Sequence, residues 1–172
     1  MVAGLPEFID PLSWAESGHR LQGRMRVRGM SRLKASLHSP DGDGEVELDM
    51  QGGIDEQGVR FLRGRIQGVL TVTCQRCLEA MALPVDSRVA LGLVTSHSQT
   101  DNLPEPYEGL VLESRSIPLM RIVEDELLLV LPIVAMHEEP ACRPGAPSQD
   151  DAQDDTGGDR PNPFAVLARL KK

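Results

Sequence analysis

The chain has 172 residues, of which 40% are hydrophobic and 3% aromatic, and its net charge at pH 7 is −8. This length and apolar content predict one aliphatic core with tails, and the scarcity of aromatic residues argues against base stacking as the main mode of nucleic-acid binding. No apolar run approaches the roughly 20 residues of a membrane-spanning helix, and residues 1–10 lack the features of a secretory signal, so we expect a cytoplasmic protein with no membrane partner.

The first half of the chain is predicted to form an antiparallel sheet. Asp10 followed by proline favours a short helix over Pro11–Ser17. Four later segments alternate polar and apolar residues with the period of two that is typical of half-buried strands. These segments are 21–28, 45–51, 59–73 and 85–93. Gly64 and Gly68, inside the third segment, indicate either bulges or a close approach of neighbouring backbones.

The second half contains one predicted main helix, over residues 118–131. Its apolar residues recur at spacings of three and four, and Ser116 is a candidate for its N-terminal cap. Arg121 and Asp125 are four residues apart and are expected to pair on the exposed side. Glu126 falls between apolar positions of the helix. We expect its carboxylate either to reach water from the edge of the buried face or to meet a partner there, because an unpaired buried carboxylate is costly.

Composition divides the chain into three parts. Residues 1–137 are the predicted core domain, of class α+β, in which an antiparallel β-sheet is packed by one main helix. Residues 138–161 are rich in Pro, Gly and Asp, which predicts a flexible, disordered acidic linker. Residues 162–172 predict a short C-terminal amphipathic helix that either docks on a protein partner or packs on its own domain. The docking candidates are Phe164, Val166, Leu167 and Leu170.

Basic residues cluster in two stretches that contain no acidic residue, 20–34 and 60–76. Local basic patches can attract RNA phosphates even on an acidic protein, because binding responds to the potential within about one Debye length. The alternative interpretation is an ordinary solvated strand face. The candidate RNA-contact residues are Arg24, Arg26, Arg28, Arg63 and Arg65.

Cysteine spacing suggests a metal site. Two thiolates separated by two residues, as at Cys74 and Cys77, can bind one metal ion, and His137 and Cys142 have a spacing similar to the second half of many zinc sites. Together these four side chains are the candidate ligands of a structural zinc ion. A redox motif should instead open a helix in a βαβ unit, whereas both flanks here are predicted strands. The remaining alternative is ordinary turn and core cysteines.

Motifs of catalysis are missing from the sequence. It contains no GxxxxGK[ST], GxGxxG, GxSxG or HExxH pattern, and the other three histidines lie singly in polar surroundings. We therefore expect a protein that is not an enzyme, with no catalytic residue and no small-molecule substrate.

Several motifs, in order along nearly the whole chain, closely resemble the bacterial YceD family. They are Cys74-Gln-Arg-Cys77-Leu78, Leu103-Pro-Glu-Pro-Tyr-Glu108, the helix with Val123-Glu-Asp-Glu126 and its Leu131-Pro132 ending, the His137 and Cys142 pair, and Asn162-Pro-Phe-Ala-Val-Leu167. The resemblance implies a role in accumulation of large-subunit (23S) ribosomal RNA, through its synthesis, processing or stability. No catalytic residue is carried over from the family, and the resemblance is weakest before about residue 60.

The sequence and the resemblance together predict a non-enzymatic ribosome-biogenesis factor whose partner is ribosomal RNA or a large-subunit precursor. One alternative is an adaptor that acts on RNA indirectly, by recruiting a protein through the C-terminal helix. A further alternative is a thiol oxidoreductase that uses the Cys-x-x-Cys motif.

Overall fold

The computed structural model describes residues 4–39, 44–138 and 142. The elements in this part of the chain are β1 (Phe8–Ile9), α1 (Pro11–Ser17), β2 (Arg20–Arg26), β3 (Glu45–Ile54), β4 (Arg60–Thr73), β5 (Ala80–Val94), β6 (Glu108–Val111), β7 (Ile117–Pro118) and α2 (Leu119–Val130). Short 3-10 turns cover Val27–Gly29, Leu33–Ser36 and His97–Asn102. Most of the predicted linker, and the predicted C-terminal helix with its docking candidates, lie outside the described residues.

The main sheet has the spatial order β2-β3-β4-β5-β6. Its neighbouring strands pair antiparallel, except that β6 runs parallel to β5. A separate two-stranded sheet pairs β1 with β7. The architecture is α+β, as predicted. The prediction of an antiparallel sheet is wrong at the β6 edge. Residues 95–107 carry the chain back along β5, so that β6 begins beside Leu91 and runs in the same direction as β5.

Alternation along the strands gives the sheet one buried face and one exposed face. In β4, the even-numbered apolar side chains are buried in the core. Gly64 and Gly68 also point to this face, and β3 lies so close there that a Cβ on Gly64 would clash with the carbonyl oxygen of Asp49. Pairing of β4 with β3 continues through both glycines without an interruption. Of the two alternatives predicted for Gly64 and Gly68, close approach of neighbouring backbones is therefore correct, and the predicted β-bulges are not found.

The two helices lie on the buried face. α1 has its predicted bounds because the Ser13 backbone N–H donates to the Asp10 carboxylate, at 3.1 Å, and Gly18 ends the helix in a left-handed conformation. Leu119, the first residue of α2, is fully buried. Ser116 does not cap α2, because Pro118 occupies the cap position after pairing in β7. No helix among the described residues has both the length and the apolar character to cross a membrane.

Two glutamates of α2 are buried in contrasting environments. Glu124 accepts hydrogen bonds from the backbone N–H groups of Arg32, at 2.7 Å, and Leu33, at 3.1 Å, and it also binds the Arg32 guanidinium. Burial opposes ionisation of Glu124, but these donors keep its pKa below the usual range. Glu126 is 9% exposed and accepts one hydrogen bond, from the Ser87 hydroxyl at 3.3 Å. Of the two predicted alternatives for Glu126, a buried carboxylate that meets a partner is therefore the one observed, and an edge position that reaches water is not.

The pairing predicted along α2 is also corrected. Asp125 binds Arg32, which comes from the 3-10 region after β2, rather than Arg121. The Arg121 guanidinium instead lies 3.9 Å from the Glu113 carboxylate. A tertiary partner with well-placed donors outcompetes a helical pair that contributes only a few tenths of a kcal/mol.

Candidate functional site

Three thiols and one imidazole converge at one end of the sheet. Their candidate ligand atoms, one from each side chain, all lie within 4.8 Å of one another. They belong to Cys74, Cys77, His137 and Cys142, which we call the Cys/His cluster. These are the four residues that sequence spacing selected, and the structure brings all of them together. The cluster could hold a metal ion.

The first half of the cluster lies in the tight connection between β4 and β5. This connection is shorter than the predicted one, because β5 begins at Ala80. The Leu78 backbone N–H donates to the Cys74 carbonyl at 2.9 Å, and Leu78 has a left-handed φ of 62°. Cys74 and Cys77 therefore stand on a turn between antiparallel strands, and not at the start of a helix as a thioredoxin-like motif would require.

The second half comes from the segment after α2. The Gln75 backbone N–H donates to the Ala135 carbonyl at 2.8 Å and anchors this segment beside the turn. The Cys74 and Cys142 sulfurs are 3.7 Å apart, and the Cys77 sulfur is 3.4 Å from His137 Nδ1. All three cysteines are free thiols, and Cys74 and Cys142 are buried.

The surroundings of the cluster favour a thiolate at Cys74 and disfavour one at Cys77. Burial alone would raise the pKa of the Cys74 thiol, but hydrogen bonds from three backbone N–H groups outweigh it and lower the pKa to about 5. The Glu79 backbone N–H lowers the pKa of Cys77, but burial and the neighbouring thiols raise it, and the net shift is upward. Arg76 Nε–H donates to the Cys142 sulfur at 3.0 Å, which places a positive charge at the cluster.

Arginines line the solvent-exposed side of the sheet. We define the outer face as the solvent-exposed side of β2 to β5. Its arginines are Arg20, Arg24, Arg26, Arg63, Arg65 and Arg88. Its carboxylates are Glu45, Glu47, Asp49 and Asp86. Four of the five RNA-contact candidates therefore share one face, and the fifth, Arg28, lies in the 3-10 turn beyond β2.

Some of these arginines are held by neighbours. Arg24 Nη2 lies 2.6 Å from Glu47, and Arg65 binds both carboxylate oxygens of Asp86. The Arg63 guanidinium lies 3.7 Å above the Phe61 ring. By contrast, the exposed Arg26, Arg28 and Arg88 form no ion pair with any residue in the described part of the chain.

Two surface features were missed by sequence reasoning. Arg88 lies on the outer face, and its exposed position could have been read from the predicted strand 85–93, in which it alternates with the buried Val89. Beyond α2, the apolar side chains of Ile133, Val134 and Met136 are exposed, Ile133 almost fully at 97%. An apolar run after a helix-ending proline was the available signal.

Comparison with known proteins gives consistent results. A family model described as "Large ribosomal RNA subunit accumulation protein YceD" matches residues 62–171. A protein of the same description from Haemophilus influenzae is 33% identical over 170 residues, which cover 98% of this chain and 97% of the relative. No solved structure matches the chain. The matched region includes the whole Cys/His cluster and strand β4 from Leu62 onward.

Proposed function

This chain belongs to the YceD family of large ribosomal RNA subunit accumulation proteins, and we propose that it promotes accumulation of 23S ribosomal RNA by binding without catalysis. In this proposal it acts on the synthesis, processing or stability of that RNA. Ribosomal RNA or a large-subunit precursor is its partner. Its own side chains make and break no covalent bond.

One observation carries the RNA-binding part of the proposal: the outer face presents six arginines among four carboxylates on a continuous solvent-exposed surface. Arginine binds phosphate through two parallel hydrogen bonds and is always charged. Neutralising RNA phosphates also releases counterions, which adds favourable free energy whatever the total charge of the protein. The local excess of positive charge therefore supports binding to the RNA backbone.

The ion pairs rank the arginines by their availability. Arg26 and Arg88 can bind phosphate without first leaving a carboxylate of the described residues. Arg63 covers Phe61 with one side of its guanidinium plane, and because the residue is exposed, the other side can stack on a base. Arg24 and Arg65 must exchange a carboxylate for a phosphate, and exposed pairs of this kind contribute at most about 1 kcal/mol.

The binding proposal is tested by titrating 23S RNA fragments with the full chain at several salt concentrations. We expect an Arg26→Ala/Arg88→Ala double variant to bind more weakly and to lower the salt slope by roughly one unit for each lost phosphate contact. An Arg115→Ala/Arg121→Ala double variant is the matched control, because it removes the same number of positive charges from residues outside the outer face. Equal weakening by the control, or binding that does not respond to salt, would contradict the proposal.

A cellular experiment separates the accumulation role from RNA contact. In cells that lack this chain, we expect the ratio of mature 23S to 16S RNA to fall and 23S precursors to change in amount. The wild-type chain should restore the ratio, and the double arginine variant should not. Full restoration by the variant would reject the outer face as the RNA contact. An unchanged ratio in the depleted cells would reject the accumulation role itself.

The adaptor hypothesis rests on residues 162–172, which lie outside the described part of the chain, and it stays a prediction. Deleting these residues separates it from direct binding. Lost capture of a protein partner with unchanged RNA affinity would favour the adaptor, and the reverse would favour direct contact.

A further inference from the structure

We propose that the Cys/His cluster binds one structural zinc ion through three sulfur atoms and one imidazole nitrogen. The ion would tie the β4–β5 connection to the segment after α2, two parts of the chain about 60 residues apart in sequence. This site is independent of the proposed RNA contact, which lies on the outer face. Four observations support it.

The first observation is distance. Zinc binds thiolate sulfur at about 2.3 Å and imidazole nitrogen at about 2.0 to 2.1 Å in a tetrahedron, which places two sulfurs about 3.8 Å apart and a sulfur and a nitrogen about 3.6 Å apart. In the cluster, the Cys74 and Cys142 sulfurs are 3.7 Å apart, and the Cys77 sulfur is 3.4 Å from His137 Nδ1. Two of the six distances among the ligand atoms therefore match the edges of a zinc tetrahedron, and none of the six exceeds 4.8 Å.

The second observation is the protonation of His137. Its Nε2 lies 3.2 Å from the Ala80 carbonyl oxygen, which can only accept a hydrogen bond. In a neutral imidazole, donation to this carbonyl puts the proton on Nε2 and leaves the Nδ1 lone pair directed at the Cys77 sulfur, 3.4 Å away. A backbone carbonyl that holds the remote nitrogen of a histidine is the usual outer partner of a zinc ligand, since it fixes both the tautomer and the ring orientation.

The third observation is charge balance. Three thiolates and one neutral imidazole around Zn²⁺ leave a net charge of −1. Arg76 supplies a compensating charge, because its Nε–H donates to the Cys142 sulfur at 3.0 Å and its Nη2 donates to the His137 carbonyl at 3.2 Å. The His137 backbone N–H also points to the Cys74 sulfur, at 3.5 Å. These donors fit thiolates better than neutral thiols.

The fourth observation is closure. A catalytic zinc has three protein ligands and keeps one position for water or substrate, whereas a structural zinc has four protein ligands. The cluster supplies four, and Cys74 and Cys142 are buried with 0% and 7% exposure. Sulfur-rich sets of this kind favour zinc over Mg²⁺ or Ca²⁺, which prefer oxygen ligands. The arrangement is therefore that of a structural site.

Metal analysis of the full chain tests the assignment. The protein would be purified without chelator and without a metal-affinity column, and its metals measured by mass spectrometry. We expect about one zinc per chain in the wild type and in His97→Ala, an exposed histidine in a 3-10 turn, and at least a tenfold loss in His137→Ala. Wild-type protein with little zinc, or zinc retained in His137→Ala, would overturn the proposal, and so would stoichiometric iron.

A second measurement avoids variants that fail to fold. Cobalt(II) would be added to wild-type chain stripped of metal under reducing conditions. We expect the strong visible absorption of tetrahedral cobalt with a sulfur-to-metal charge-transfer band, and its loss when one equivalent of zinc is added. The weak spectrum of octahedral cobalt, or a spectrum that zinc leaves unchanged, would contradict the site.

Discussion

The Cys/His cluster and the outer face both consist of polar side chains, but they are built differently. On the outer face, polar residues recur at every second position, and several find a partner across the adjacent strand, as Arg24 does with Glu47. In the cluster, side chains from a turn and from a segment about 60 residues later point to one place. Strand register alone explains the first arrangement and does not explain the second.

The difference indicates two kinds of contribution. Exposed cross-strand pairs are screened by water and salt, so they stabilise the fold little and remain available to phosphate. Buried polar groups that converge must be satisfied together, so removing one partner leaves the others without compensation. We therefore expect the Cys/His cluster and other buried polar groups to control the stability of the fold, and the outer face to control RNA binding.

The largest expected effect is that of zinc removal. A site saturated a thousandfold above its Kd contributes about 4 kcal/mol to the free energy of unfolding. Stripping the metal should lower the stability of the full chain by several kcal/mol, as measured by denaturant unfolding under reducing conditions. Added zinc should restore the stability and added magnesium should not. Identical unfolding curves before and after metal removal would contradict the expectation that the Cys/His cluster, unlike the outer face, controls stability.

The next effect is expected at Glu124. Glu124→Ala should destabilise the fold by about 2 to 3 kcal/mol, because it removes a buried carboxylate that holds two backbone N–H groups and the Arg32 guanidinium. Asp125→Ala is the matched control, since its exposed carboxylate binds the same arginine. Urea unfolding would measure both variants. Equal losses of stability in the two variants would show that burial does not determine how much each carboxylate contributes to the free energy of unfolding.

A smaller effect of opposite sign is expected at Glu126. Burial, Glu108 and Asp125 raise its pKa, against the Ser87 hydrogen bond that lowers it. Between the unfolded pKa near 4.5 and the raised folded pKa, the native state binds more protons, so this group's contribution to stability falls as pH rises. Glu126→Gln should therefore stabilise the protein at pH 7 and have almost no effect near pH 4.

Denaturant unfolding of the wild type and of Glu126→Gln between about pH 4 and pH 7 checks the sign of the predicted change in stability. A stability gain that does not depend on pH would show that the carboxylate charge is not its cause. A loss of stability at pH 7 would contradict the upward shift of the pKa.

The smallest effect is expected on the outer face. A double-mutant cycle between Arg65 and Asp86, both about half exposed, should give a coupling energy below about 1 kcal/mol that decreases with salt. The same Asp86→Ala variant should bind RNA at least as tightly as the wild type, because it frees Arg65. A coupling energy of several kcal/mol between Arg65 and Asp86 would show that the outer face contributes substantially to stability, against the expectation.

Periodicity was sufficient for the long elements of the fold. The alternation in β3 and β4 and the cap at Asp10 predicted these elements closely, because each pattern repeats over enough residues or depends on a local hydrogen bond. β6 has four residues and β7 has two, too few for a recognisable period. Their positions depend on contacts with distant strands, which the local sequence does not record.

The candidate site shows the same division. The ligand set was predictable because cysteine is rare in this chain and all three copies fall into ligand-like spacing. The ion pairs of Arg24 and Arg65 require the register between strands, which alternation alone does not define. The partners of Glu124 could not be predicted either, because Arg32 and Leu33 are more than 90 residues away in sequence.

X-ray absorption at the zinc edge of the purified full chain tests the central claim most directly. The account predicts a four-coordinate ion with three sulfurs at about 2.3 Å and one nitrogen at about 2.0 to 2.1 Å. A shell of nitrogen and oxygen atoms alone, or a sulfur count that does not fall by one in Cys142→Ser, would contradict it.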